Sequence, residues 1–332
     1  MPFKILCCDG GGVRGLITSL LIQDLDQHFG VIERADGFAG TSTGGLIALG
    51  LANGVDIERI VEVYQCKGST IFDPNDRLLD EKEQSKPATL GQNELESGPG
   101  IFSCQYKNDG LKQVASELVG YTLLNDASKY VAINTARLWD GDSWESVTFS
   151  NSPDNPYSGI SMLDAALATS AAPTYFPPYK ISPLGYFADG GTFANNPSVT
   201  AIADVLSGRL VDSLDNVRVL SLGTGLSPQG VAPTSISDPL DWGVTHWMKP
   251  YQSDNVPAMA LLNLMMDCTA KVATSEASQL LAEKFCRGNL TLPMPVPLDD
   301  WEHVSELKQY TEIYMETNGW KNVRNWVETN WY

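Results

Sequence analysis

Phe3-Lys4-Ile5-Leu6-Cys7-Cys8-Asp9-Gly10-Gly11-Gly12-Val13-Arg14-Gly15 is the stretch that decides the fold. Phe3–Cys8 is a short apolar run bounded by turn residues, which reads as a buried strand. After the glycines, Leu16, Leu20, Ile22 and Leu25 fall near helical spacing, so Val13–His28 reads as a helix. Glycines at such a junction let the backbone take unusual dihedrals and leave N–H groups uncovered. The following helix N-terminus adds the positive end of its dipole, and the two together form an anion site. The same string fits G-x-G-x-x-G, with Glu33 or Asp36 available as a ribose acid. Nucleotide binding and oxyanion binding both stand at this point.

Working outward, the strand-to-helix pattern repeats. Gly37–Thr41 has strand character, Leu46–Ala52 reads as a helix ending near Asn53-Gly54, and Ile57–Tyr64 as another. Between them lies Gly40-Thr41-Ser42-Thr43-Gly44-Gly45. A G-x-S-x-G sequence on a tight strand–turn–helix holds the serine hydroxyl out over the sheet edge. Further along, Lys129–Leu138, Ser146–Phe149, Gly185–Ala188 and Val217–Leu222 read as strands. Met162–Thr169, Pro197–Leu206, Pro257–Phe285 and Val304 onward read as helices. Strands alternating with helices predict a three-layer α/β fold, a mostly parallel central sheet with helices on both faces. Asp73–Asp109 is polar and aperiodic and is expected to be a cap or lid inserted into a single domain spanning 1–332. A helical C-terminal extension is expected over 257–332.

A nucleophilic serine needs a base. The chain has three histidines, His28, His246 and His303, and none follows a strand in a glycine-bracketed turn. Asp189-Gly190-Gly191 does, just after Gly185–Ala188. Taken alone this is an ordinary turn. Buried beside a serine, however, the carboxylate would become a stronger base than it is in water.

The order of glycine loop, G-x-S-x-G and Asp-Gly-Gly resembles the patatin-like phospholipase family. The resemblance continues through Ala168-Thr169-Ser170-Ala171-Ala172-Pro173-Thr174-Tyr175-Phe176, then Asn195-Asn196-Pro197, then Ser221-Leu222-Gly223-Thr224-Gly225. It covers a core of roughly residues 3–225. It implies a lipid acyl hydrolase with a serine–aspartate dyad and no metal or cofactor. Ser42 would be the nucleophile and Asp189 the general base, with the Gly11 and Gly12 N–H groups as oxyanion hole. Gly10, Arg14 and Gly15 would support that loop, Gly40 and Gly44 the elbow around Ser42, and Gly190 and Gly191 the turn after Asp189. The implied substrates are phospholipids, lysophospholipids, galactolipids or simple fatty-acyl esters, met at a transient membrane or micelle surface. A nucleotide-binding protein using Gly10–Gly15, or a catalytically idle storage protein on the same fold, are the competing readings.

Composition narrows the partners. Twenty-two Lys and Arg against 40 Asp and Glu leave a formal charge of −18, which repels nucleic-acid phosphates and strongly anionic lipid surfaces. No apolar run is long enough to span a bilayer, and the apolar stretch before Asp9 is too short for a signal peptide, so a cytoplasmic protein is expected. The six cysteines show no C-x-x-C spacing and are expected to be reduced and mostly structural. The apolar run Ala258–Met266 is a candidate pocket lining, with buried core helix as the plainer reading.

Overall fold

A computed structural model describes residues 2–74, 103–253 and 255–332. Most of Asp73–Asp109, and with it the expected cap or lid, lies outside the described residues. Among the described residues, eight strands form one sheet: β1 (Phe3–Cys8), β2 (Gly37–Thr41), β3 (Tyr130–Arg137), β4 (Glu145–Ser150), β5 (Tyr179–Ile181), β6 (Gly185–Asp189), β7 (Val217–Leu222) and β8 (Phe285–Gly288). Their order is β5-β6-β3-β2-β1-β7-β8, with β4 also on β3. The pairs β1–β2, β1–β7, β2–β3 and β7–β8 are parallel, whereas β3–β4, β3–β6 and β5–β6 are antiparallel.

Alternate residues of β1 feed two cores, as the two-residue repeat of a strand requires. Leu6 and Cys8 pack with the helices Gly15–Phe29, Thr43–Ala52, Ile57–Cys66, Asn108–Val119 and Met162–Thr169. Ile5 and Cys7 pack on the other face with the helices Ser198–Ser207 and Ala260–Leu281. The mostly parallel, helix-covered α/β sheet expected from the strand–helix alternation is therefore present.

One feature of the pairing sets up the site. β4 occupies one edge of β3 along Ala132–Arg137. The other edge is shared: β2 runs along it until Thr41 faces Asn134, and β6 runs along it the opposite way until Asp189 faces Thr135. The two strands approach each other head on, and their C-terminal ends meet at neighbouring positions of β3. Both chains must turn off the sheet there.

Several boundaries differ from expectation. The helix after β2 begins at Thr43, not Leu46. The helix expected over Pro257–Phe285 covers Ala260–Leu281, and the chain re-enters the sheet as β8. The terminal helix is two, Val304–Met315 and Asn318–Asn330, the second capped by Thr317, whose Oγ1 accepts from the Trp320 N–H at 3.4 Å. The helix Asn108–Val119 was not expected, although Leu111, Val114, Ala115 and Leu118 have helical spacing and are buried. None of the six cysteines is in a disulfide; Cys7 and Cys8 are buried, but Cys66 and Cys268 are exposed, so a structural role does not extend to those two.

Candidate active site

Ser42 is the first residue past β2 and takes φ 54°, ψ −124°, a conformation costly for a residue with a side chain. The surroundings over-determine it. The Ser42 N–H donates to Thr169 Oγ1 at 2.8 Å, and Thr169 Oγ1 in turn donates to the Asn134 carbonyl at 2.6 Å. The Ser42 carbonyl accepts from the N–H groups of Gly45 (2.8 Å) and Leu46 (3.1 Å). A side chain at Gly44 would strike the carbonyl oxygens of Cys8 and Asp9 at the end of β1, and one at Gly40 would strike Gly44 itself. The elbow is therefore tight because it lies against the neighbouring strand.

Asp189 ends β6 and is buried. Its Oδ1 accepts from the Gly191 N–H at 2.7 Å, and its carboxyl lines the same pocket as the Ser42 side chain. Burial raises the carboxyl from its ordinary 3.8 to about 6, against the smaller opposing pull of the Ser42 and Gly191 donors. Gly190 lets the turn pass over β3, since a side chain there would collide with the Asn134 carbonyl. The serine and the carboxylate expected from the motifs are thus brought together in one pocket.

The glycine loop after β1 packs on the same spot, and a Cβ at Gly10 would lie 3.2 Å from the Ser42 Cβ. Its N–H groups divide into two kinds. Those of Asp9, Gly10 and Val13 donate to Leu222 (3.1 Å), Asn195 (3.0 Å) and Leu298 (2.8 Å) carbonyls. Among the described residues, those of Gly11 and Gly12 have no protein acceptor. Two anchored segments therefore hold two free donors between them, an arrangement suited to an anion. Arg14 is buried, and its N–H (3.2 Å) and Nε (3.3 Å) both donate to the Gly11 carbonyl. The Gly10 carbonyl accepts from Thr224 Oγ1 at 2.8 Å and Asn195 Nδ2 at 3.4 Å. Gly15 sits where a side chain would meet Thr43 and Tyr64.

A residue that sequence reasoning missed secures the loop's root. Arg287 of β8 pairs with both carboxylate oxygens of buried Asp9, one at 2.8 Å, and reaches Ser221 Oγ at 2.7 Å. Arg287 sits two residues after the end of a helix expected to run to Phe285, and nothing local marks it as a partner of Asp9.

Ser42 and Asp189 open into a pocket walled by Tyr64, Phe72, Leu111, Tyr175, Phe176 and Met266, with Gly12 at its rim. The Ala258–Met266 run contributes only Met266 to it. Leu262 is buried, but Leu261, Leu264 and Met265 are exposed, so neither pocket lining nor core describes the whole run. No histidine lines this pocket. His28 Nδ1 lies 2.7 Å from the Asp24 carbonyl, His246 stacks on Trp242, and His303 Nδ1 lies 2.5 Å from Asp300. Among the described residues, no group of three or more His, Cys, Asp and Glu is placed to hold a metal ion, and no helix is long and apolar enough to cross a membrane.

Chemically, the site offers a hydroxyl beside a buried base, two unpartnered N–H donors and an apolar slot. That is the equipment of acyl transfer. The model of the patatin-like phospholipase family matches residues 6–202. The chain is 32% identical over 253 residues to the cGAMP-activated phospholipase of Vibrio cholerae serotype O1, covering 70% of this chain and 67% of that one. It is 30% identical over 261 residues to the cGAMP-activated phospholipase of Escherichia coli, covering 73% and 68%. Protein teg of Priestia megaterium is 27% identical over 311 residues, 88% of each chain.

Proposed function

The chain belongs to the patatin-like phospholipase family, a family of lipid-ester hydrolases, and from that premise we propose that Ser42 and Asp189 are its nucleophile and general base. The observation that carries the reading is that both side chains line one pocket at the meeting point of β2 and β6.

In the proposed reaction, Asp189 accepts the Ser42 proton as Oγ attacks the ester carbonyl carbon. The carbonyl oxygen gains the electron pair and sits against the Gly11 and Gly12 N–H groups. Asp189 returns the proton to the departing alkoxide as the C–O bond breaks. Water, deprotonated by the same carboxylate, then attacks the acyl-serine, releases the acid and restores Ser42. The apolar walls of Phe72, Leu111, Phe176 and Met266 take the acyl chain. The glycine loop lies against Ser42, which favours an oxyanion over a nucleotide as its ligand.

A lipid surface is the proposed partner. Leu261, Leu264 and Met265 are exposed on the helix whose Met266 lines the pocket, and the charge of −18 favours neutral or zwitterionic lipids over anionic ones.

A fluorophosphonate probe tests the reading. Covalent labelling is expected on Ser42, located by peptide mass, with a rate that falls on acidification. Asp189 works as a base only when ionised, so the rate should drop through about pH 6 and then about tenfold per further pH unit. No labelling of Ser42, with phosphatidylcholine vesicles present or absent, removes the proposal. Simultaneous replacement of His28, His246 and His303 by Gln is expected to leave the rate nearly unchanged. A loss of about 10²–10⁴-fold, the usual contribution of a general base, would return a histidine to the mechanism.

A further inference from the structure

We infer that Thr224 is a positioning residue that sets the direction of the oxyanion-hole donor on Gly11, acting through the Gly10 carbonyl. The inference rests on the Ser42–Asp189 reading above. It concerns the motif Gly223-Thr224-Gly225, which follows β7 and to which the reaction assigns no part.

In a trans peptide the N–H points opposite to the C=O of the same unit. The Gly10–Gly11 peptide is trans. Fixing the Gly10 carbonyl therefore fixes the direction of the Gly11 N–H. Glycines do not do this for themselves, since their φ and ψ are the least restricted of any residue.

Thr224 is buried and supplies the shorter of the two bonds to that carbonyl, 2.8 Å against 3.4 Å from Asn195 Nδ2. Its side chain also presses on the next residue. A Cβ at Gly11 would overlap Thr224 Oγ1, Cβ and Cγ2. Thr224 thus grips the carbonyl on one side of the Gly11 N–H and covers the Cα on the other. The Gly12 donor is held in the same manner by a different residue, because Arg14 bonds the Gly11 carbonyl. Each free N–H is aimed by an anchor on its own peptide's oxygen.

Thr224 does not line the pocket, so the effect of losing it should fall on transition-state stabilisation and spare substrate binding. The test compares Thr224→Val, which keeps the shape and removes the hydroxyl, with Thr224→Ser, which keeps the hydroxyl. The substrate is a p-nitrophenyl fatty-acyl ester. For Thr224→Val, kcat should fall about 10–100-fold, less than the loss of a whole oxyanion donor, with KM within about twofold. The rate of Ser42 labelling should fall in parallel, and the acid limb near pH 6 should stay in place. Thr224→Ser should recover most of the activity.

Full activity in Thr224→Val overturns the inference. So does equal impairment of the Ser variant, which would show that the methyl group and not the hydroxyl matters. Should Thr224→Val fail to fold, judged by its thermal transition, the comparison passes to Thr224→Ala and Thr224→Ser with the same two criteria. A wild-type protein that does not label at Ser42 is a distinct outcome: it removes the serine reading itself, and the inference with it.

Discussion

Ser42→Ala is expected to lower ester turnover by about 10⁴–10⁶-fold, the range over which nucleophilic serines act together with their base and oxyanion donors. The change removes the attacking oxygen and little else. The Ser42 N–H still donates to Thr169 Oγ1, and the carbonyl still caps the helix Thr43–Ala52. Alanine keeps a Cβ and therefore keeps the strain at φ 54°. The fold should hold, and any residual rate would come from the glycine loop and the apolar pocket. Ser42→Gly separates strain from chemistry: it should be as inactive as the alanine variant yet more stable by about 1–3 kcal/mol, since glycine takes this conformation freely. Both are read by ester hydrolysis and by chemical denaturation of the purified protein. An alanine variant that retains a few per cent of wild-type turnover would place the nucleophile elsewhere.

Asp189→Asn carries the second large effect, and it has two opposite signs. Activity should fall by about 10⁴-fold, because asparagine is near the carboxylate in size but accepts no proton. Stability at neutral pH should rise. The carboxyl stands at about 6 in the folded protein against 3.8 ordinarily, so folding disfavours its charged form. The Asp189 contribution is most favourable below pH 3.8 and is lost as the pH rises through about 6. At pH 7 the buried charge therefore costs about 3 kcal/mol, and the neutral amide removes that cost. Unfolding of the two proteins should differ by several degrees at pH 7 and converge near pH 4. An Asn variant that is less stable than wild type at pH 7 would mean that the carboxylate is held by interactions stronger than its desolvation. The same two measurements show why the site is demanding to build: the charge that makes Asp189 a base is the one the fold would rather not bury.

Where the structure and the sequence agree, the reason is local. β1 and β7 are mostly apolar runs followed at once by Asp9 and Gly223, and both appear with the expected limits. Met162–Thr169 does too, with Ser161 as N-cap accepting from the Asp164 N–H at 3.0 Å. Each of these carries its start and stop signals within a few residues. The helix after Ser42 carries a contrary signal, because Thr43-Gly44-Gly45 is poor helix-forming sequence. It is helical because the glycines let the first turn press against the carbonyls of β1. β8 has no adequate local signal either. Phe285-Cys286-Arg287-Gly288 follows a long helix and becomes a strand by pairing with β7. β5, three residues long, likewise takes its form from β6.

The sequence by itself determined the parts: a glycine loop and a serine at strand-to-helix turns, a carboxylate beside glycines, and a family. Those are properties of short segments, set by φ/ψ preference and by side-chain size. Only the tertiary structure decided that the parts meet. Ser42 and Asp189 share one pocket because β2 and β6 arrive head on along one edge of β3, and register between distant strands is a long-range property that no local pattern encodes. The roles of Thr224 and Arg287 come from the same level. Each acts through a carbonyl or carboxylate more than 200 residues away in the chain, and their worth lies in holding groups that glycines leave free.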